Sequence, residues 1–218
     1  MQIPFFAKWA MLASAVPFCG ACTALNSQPH PMTINPPRIA PVADAQATPE
    51  QKKFLDAQDP GLRRLNVVKS FARNPKLAES WMPFARYILR NSSLPPRDRE
   101  ILILRIGWLN QSQYEFTQHV RVGKTVGLTD DDITRITQGA DAPGWNGFDA
   151  ALMRAADQLH TKSVIDDAVW NTLKDRYDEN QLVDVVLTVG QYNLVSWYLN
   201  TLGTPFEEGV TPYPMRTK

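Results

Sequence analysis

The stretch from Glu179 to Leu202 constrains this chain more than any other. It carries Leu182, Val183, Val185, Val186, Leu187, Val189, Tyr192, Leu194, Val195, Trp197 and Leu199, and it ends at Gly203-Thr204-Pro205. An apolar run of that length with no internal turn signal exceeds a strand and fits a central helix closed by a glycine cap and a proline. The valine-rich part, residues 183–189, has the composition of a strand, but its length and flanks and the lack of hairpin turns select helix.

Helical spacing recurs upstream. Leu65, Val68, Phe71 and Ala72 form one set, Trp81, Phe84, Ala85, Ile88 and Leu89 another, and Asn74-Pro75 separates them. Pro95-Pro96 opens a segment whose Ile101, Leu102, Ile103, Leu104 and Ile106 nearly surround the helix, as in an element buried on most sides. Residues 112–126 follow, with Gly127 as C-cap, then a capping box at Thr129 and Asp132, and amphipathic helices over 148–160 and 163–177. The fold class is all-α, in one domain.

The ends read differently. Lys8 precedes an apolar stretch over 9–21, too short to span a bilayer comfortably, so residues 1–24 are expected to be a signal peptide or lipoprotein leader. Cys19-Gly20-Ala21-Cys22 resembles a bacterial lipobox, which would anchor the chain to a membrane through lipidated Cys22; cleavage near Ala24 is the competing outcome. Either way the expected location is exported, periplasmic or membrane-anchored. Residues 25–48, with Pro29, Pro31, Pro36, Pro37 and Pro41, have the composition of an extended linker. Thr48-Pro49-Glu50-Gln51 supplies a cap, a proline at the first helical position and a capping-box glutamine, so the domain is expected over 49–210, with a tail over 211–218.

Both cysteines fall in the leader, so the domain has no thiol for a disulfide, a nucleophile or a metal. With 23 Lys plus Arg against 22 Asp plus Glu, the near-neutral balance offers no electrostatic footprint for nucleic acid.

Glu100, Glu115 and His119 are the candidate catalytic residues. Glu115 and His119 are four apart and share a helical face, where a carboxylate favours the imidazolium and orients the ring; Glu100, from the preceding helix, supplies a second acid or base. Structural roles compete. Ser112 and Glu115 also have capping-box spacing, and Glu100 lies near a helix N-terminus, where acids are common.

The order Leu94-Pro-Pro-Arg-Asp-Arg-Glu100, Tyr114-Glu-Phe-Thr-Gln-His119, Asp157-Gln-Leu-His160, Val189-Gly-Gln-Tyr192 and Leu199-Asn-Thr-Leu-Gly203 resembles the carboxymuconolactone decarboxylase-like family. The resemblance covers about residues 55–208 and implies the AhpD-like helical bundle, a small-molecule substrate, no cofactor, and assembly into trimers or hexamers. In the family's peroxidase branch a glutamate precedes Cys-x-x-Cys-x-x-x-His. Glu100 and His119 match, but Ser112 and Glu115 stand at the cysteine positions, so the chain resembles a branch lacking that motif and the disulfide cycle has no thiols.

The function expected first is a cofactor-free lyase, decarboxylase or isomerase acting on a small lactone or carboxylic acid by Glu/His proton transfer. The alternative is a non-catalytic exported binding or scaffold protein of the same fold, and a peroxidase ranks third. Asp157 and His160 are too few for a metal site and fit inter-helix hydrogen bonding better. Arg86, Arg105 and Arg121 are candidates to hold a carboxylate, and Trp81, Trp108, Tyr192 and Trp197 to line a pocket or the core.

Overall fold

A computed structural model describes residues 34–215. Ten α-helices make up the fold, with no strand among the described residues. They are α1 (Pro49–Asp56), α2 (Pro60–Arg63), α3 (Asn66–Phe71), α4 (Pro75–Arg86), α5 (Pro96–Leu109), α6 (Gln113–Thr125), α7 (Asp130–Gln138), α8 (Gly147–Lys162), α9 (Asp167–Lys174) and α10 (Glu179–Leu202).

The core is built around α5. Every residue from Asp98 to Trp108 is buried, and the helix packs on α6, α8 and α10. Ile101, Leu102, Ile103, Leu104 and Ile106 have no exposed surface, and each such side chain stabilises the fold by about 1.5–3 kcal/mol relative to exposure. Four buried charged residues share this helix, Asp98, Arg99, Glu100 and Arg105, and burial obliges each to find a partner. A second cluster joins Phe54, Leu55, Phe71, Ala78 and Met82, with Trp81 stacked on Phe71 at 4.0 Å.

Local chemistry explains several ends. Thr48 caps α1 with the expected Gln51 box, Thr129 caps α7 with Asp132, and Asp178 caps α10 with Gln181. Gly203 closes α10 at φ 70°, where a Cβ would lie 2.6 Å from the Ile34 carbonyl oxygen, so no other residue fits. The helix expected over 163–177 is shorter. Ser163 takes a left-handed conformation that ends α8, and Asp166 caps α9 by accepting from the Val169 N–H at 2.9 Å.

Two expectations about the ends are corrected. The proline-rich segment is not a free spacer from Arg38 onward: the Arg38 N–H donates to the Leu202 carbonyl at 2.8 Å and the Val42 N–H to the Lys69 carbonyl at 3.1 Å. Val42 is buried with Phe54 and Phe71, and Arg73 donates to the carbonyls of Ala40 and Pro41. Prolines removed donors here, but their neighbours still had apolar surface to bury and carbonyls to satisfy. The segment called a tail is packed as well: Tyr213 donates its N–H to Thr117 Oγ1 at 2.9 Å, and Met215 is buried in the main core. The expected leader, with Cys19 and Cys22, and residues 25–33 lie outside the described residues.

Candidate active site

Three helices converge on His119. α5 contributes Glu100, α6 contributes Glu115 and His119, and α10 brings the edge of Tyr192 to the imidazole, ring centroids 4.8 Å apart at 84°. His119 Nδ1 lies 2.7 Å from Glu100 Oε2, and Nε2 lies 3.1 Å from Glu115 Oε1. Both ring nitrogens therefore face carboxylates, an arrangement that suits an imidazolium donating at both ends. Glu100 is fully buried, and Glu115 and His119 nearly so.

Burial alone would drive the proton off His119. The two carboxylates, Glu100 ahead of Glu115, outweigh it and raise the imidazole to about 10. The Tyr192 phenol is pushed well above its usual range by burial first and then by the Glu115 and Glu100 charges, so it stays neutral. The structure thus brings all three candidate residues into one hydrogen-bonded chain, with a protonated centre flanked by carboxylates.

The capping-box reading of Glu115 is overturned. Ser112 occupies the N-cap of α6 but makes no side-chain cap bond, and its buried Oγ has no partner among the described residues. Glu115 faces His119 because buried charges take the strongest partner within reach, and an imidazolium exceeds a backbone N–H.

The other candidates lie apart from the trio. Asp157 pairs with Arg105 Nε at 2.6 Å while His160 is exposed; Arg105 also donates to the Ile136 carbonyl. Arg86 binds Gln58, Arg121 is exposed, and Trp197 stands on the surface. Trp81 and Trp108 pack on Phe71 and Phe116 in the core, leaving Tyr192 as the one aromatic candidate that reaches His119. Two depressions are described, one lined by Tyr114, Leu199 and Phe206, the other by Asp131, Arg135 and Gly144, and the trio lines neither.

One neighbour escaped the sequence reading. Arg99 is nearly buried, its Nε is 3.7 Å from Glu100 Oε1, and neither atom has a hydrogen-bond partner among the described residues. A signal existed: a cation whose helical neighbours three and four positions away, Pro95, Pro96, Leu102 and Ile103, offer no acid.

Comparison with known proteins agrees with this architecture. Residues 75–158, which span α4 to most of α8, match the carboxymuconolactone decarboxylase family. No curated protein is similar to the chain by sequence. Among solved structures, an uncharacterized peroxidase-related protein from Silicibacter sp. TM1040 superposes with a TM-score of 0.68 at 14% identity, covering 82% of this chain and 95% of its own. The alkylhydroperoxidase AhpD core of a peroxidase-related protein from Ralstonia eutropha JMP134 gives 0.67 at 16% identity, covering 84% of this chain and 100% of its own. The debrominase Bmp8, solved with 2,3,4-tribromopyrrole, gives 0.64 at 12% identity, covering 78% and 91%. At such identities these likenesses speak for the bundle alone. The family match thus lies on the helices that carry Glu100, Glu115 and His119, and the chain has the AhpD-like fold.

Proposed function

We propose that the protein is a cofactor-free acid–base enzyme, a lyase, decarboxylase or isomerase acting on a small lactone or carboxylic acid. The observation that supports it is the buried Glu100–His119–Glu115 chain, a stored proton between two carboxylates. Glu100 holds Nδ1 at the shorter distance, which leaves Nε2 as the nitrogen that serves the substrate. Glu115 occupies that side, so it either relays the proton or yields its place to the ligand.

In a decarboxylation the bond from carbon to the carboxylate breaks and carbon dioxide leaves. The electron pair stays on carbon as an enolate conjugated to the neighbouring carbonyl, and His119 Nε2–H supplies the proton that quenches it. His119 then recovers a proton from water, and the site returns to its starting charge. General acid catalysis of this kind contributes about 10²–10⁴-fold, the loss expected of His119→Ala.

The test is turnover of a panel of lactones and carboxylic acids by the wild type, His119→Ala and Glu115→Gln. Loss in both variants with helicity retained supports the reading; activity surviving both overturns it. A non-catalytic binding protein of the same fold is the second reading, favoured by the trio's place outside both described depressions, and it predicts binding without turnover. The peroxidase reading has no thiol beyond Cys22 to work with.

The proposal extends to assembly. The exposed residues of α10 between Val183 and Thr201 are Val183, Val186, Leu187, Gly190, Leu194, Trp197 and Thr201, with no charge among them. Such a face suits contact with a second copy of the chain.

A further inference from the structure

The trio leaves one polar gap unfilled. Arg99 Nε and Glu100 Oε1 are both buried, both lack a hydrogen-bond partner among the described residues, and they stand 3.7 Å apart, too far for a direct bond. A guanidinium this buried is costly to leave unmatched, as is a carboxylate oxygen. One is a donor only and the other an acceptor only. A single oxygen at the ordinary hydrogen-bond length of about 2.8 Å from each fits across that separation, provided it accepts from Nε–H and donates to Oε1. A hydroxyl does both. A carboxylate oxygen does not, because it would face Glu100 with a like charge.

The rest of Arg99 completes the chemistry. Its side chain keeps 9% of its surface exposed, as does that of His119. A guanidinium has donors to spare beyond Nε, in a fork that matches a carboxylate.

We propose that Arg99 and Glu100 form a ligand subsite for a small hydroxy acid, with its hydroxyl bridging Arg99 Nε and Glu100 Oε1 and its carboxylate held by the remaining guanidinium nitrogens. This rests on the proton-transfer reading and deepens it, since it names the substrate class. It also divides the labour of Glu100: Oε2 holds the imidazole and Oε1 reads the ligand. Arg99 is thereby a specificity-determining residue, and a partner lacking the hydroxyl would leave both buried groups unmatched.

The experiment is calorimetric titration of the full chain with lactate and malate against their deoxy counterparts propionate and succinate, in the wild type, Arg99→Lys and Arg99→Gln. The expected result is that at least one hydroxy acid binds the wild type at least tenfold more tightly than its deoxy counterpart. Arg99→Gln removes that preference, and Arg99→Lys, which keeps the charge but not the fork, weakens binding at least tenfold. Arg99→Lys, which keeps a charge opposite Glu100, melts near the wild-type value, whereas Arg99→Gln leaves Glu100 Oε1 facing no cation and melts lower while still folded at the titration temperature. Equal binding of each hydroxy and deoxy pair, no binding of any of the four acids, or Arg99→Gln binding as the wild type does would overturn the subsite and leave the gap to water. Arg99→Lys melting far below the wild type would point to a structural Arg99 and overturn it too. The two readings fail separately: Arg99-dependent binding without turnover sinks the acid–base mechanism alone, whereas His119-dependent turnover indifferent to Arg99→Gln sinks the subsite alone.

Discussion

His119 is held more closely by Glu100, nineteen residues earlier on another helix, than by Glu115 one turn away on its own: 2.7 Å at Nδ1 against 3.1 Å at Nε2. The inter-helix contact therefore orients the imidazole, and the local one covers Nε2, the nitrogen proposed to serve the substrate. Because Glu100 is fully buried, this bond also pins α5 to α6 at the centre of the bundle.

That pairing makes stability depend on pH in a stated direction. Folding raises the His119 pKa from 6.5 to about 10, so its stabilisation is fully present below pH 6.5 and is lost as pH rises through about 10. The urea midpoint is expected to fall steadily between pH 6.5 and 9.5, and His119→Gln to lack that decline. A wild-type midpoint flat over this range would contradict a buried imidazolium. Tyrosine ionisation is kept out of the window, since Tyr114 and Tyr192 are pushed above their usual value.

Ser112→Ala separates a cap from a bystander. A working N-cap serine costs about 1 kcal/mol when removed, whereas a buried hydroxyl with no partner costs little or nothing. Chemical denaturation is expected to show a change within about 0.5 kcal/mol, or a gain.

Gly203→Ala is expected to destabilise by about 1–3 kcal/mol, because the residue sits at φ 70° and its new Cβ would strike the Ile34 carbonyl oxygen. The same measurement on Gly190→Ala, on an open face of α10, serves as the control and is expected to be neutral or stabilising.

If the bare face of α10 meets a second copy, Trp197→Glu places a charge in the contact and light scattering after gel filtration should report a smaller species than the wild type. Trp197 is 60% exposed, so folding of the protomer should be spared. Identical masses for the two proteins would remove this face from the assembly.

The sequence disclosed what is local. The caps at Thr48 and Thr129, the buried period of α5 and the glycine stop of α10 each depend on residues within a turn of one another, and each is found where its spacing predicts it. Contacts between distant segments were harder to read. Glu115 and His119 are visible as an i, i+4 pair, but the shorter bond to Glu100 depends on how α5 docks against α6. Ser112 and Glu115 satisfy a capping pattern that a nearby imidazole overrules. Arg99 does not stand out in the sequence, because charge on a helix is normally a solvated face and only tertiary packing removes its water.

The packing of residues 38–47 sets where this domain can be cut. A boundary placed at the first α-helix looks natural, yet it would strip Val42 from between Phe54 and Phe71, leave the Leu202 carbonyl without the Arg38 N–H, and release the Arg73 guanidinium. A trimmed protein beginning at Thr48 would retain its helices and lose the strap that fastens the end of α10, the helix whose Tyr192 touches His119.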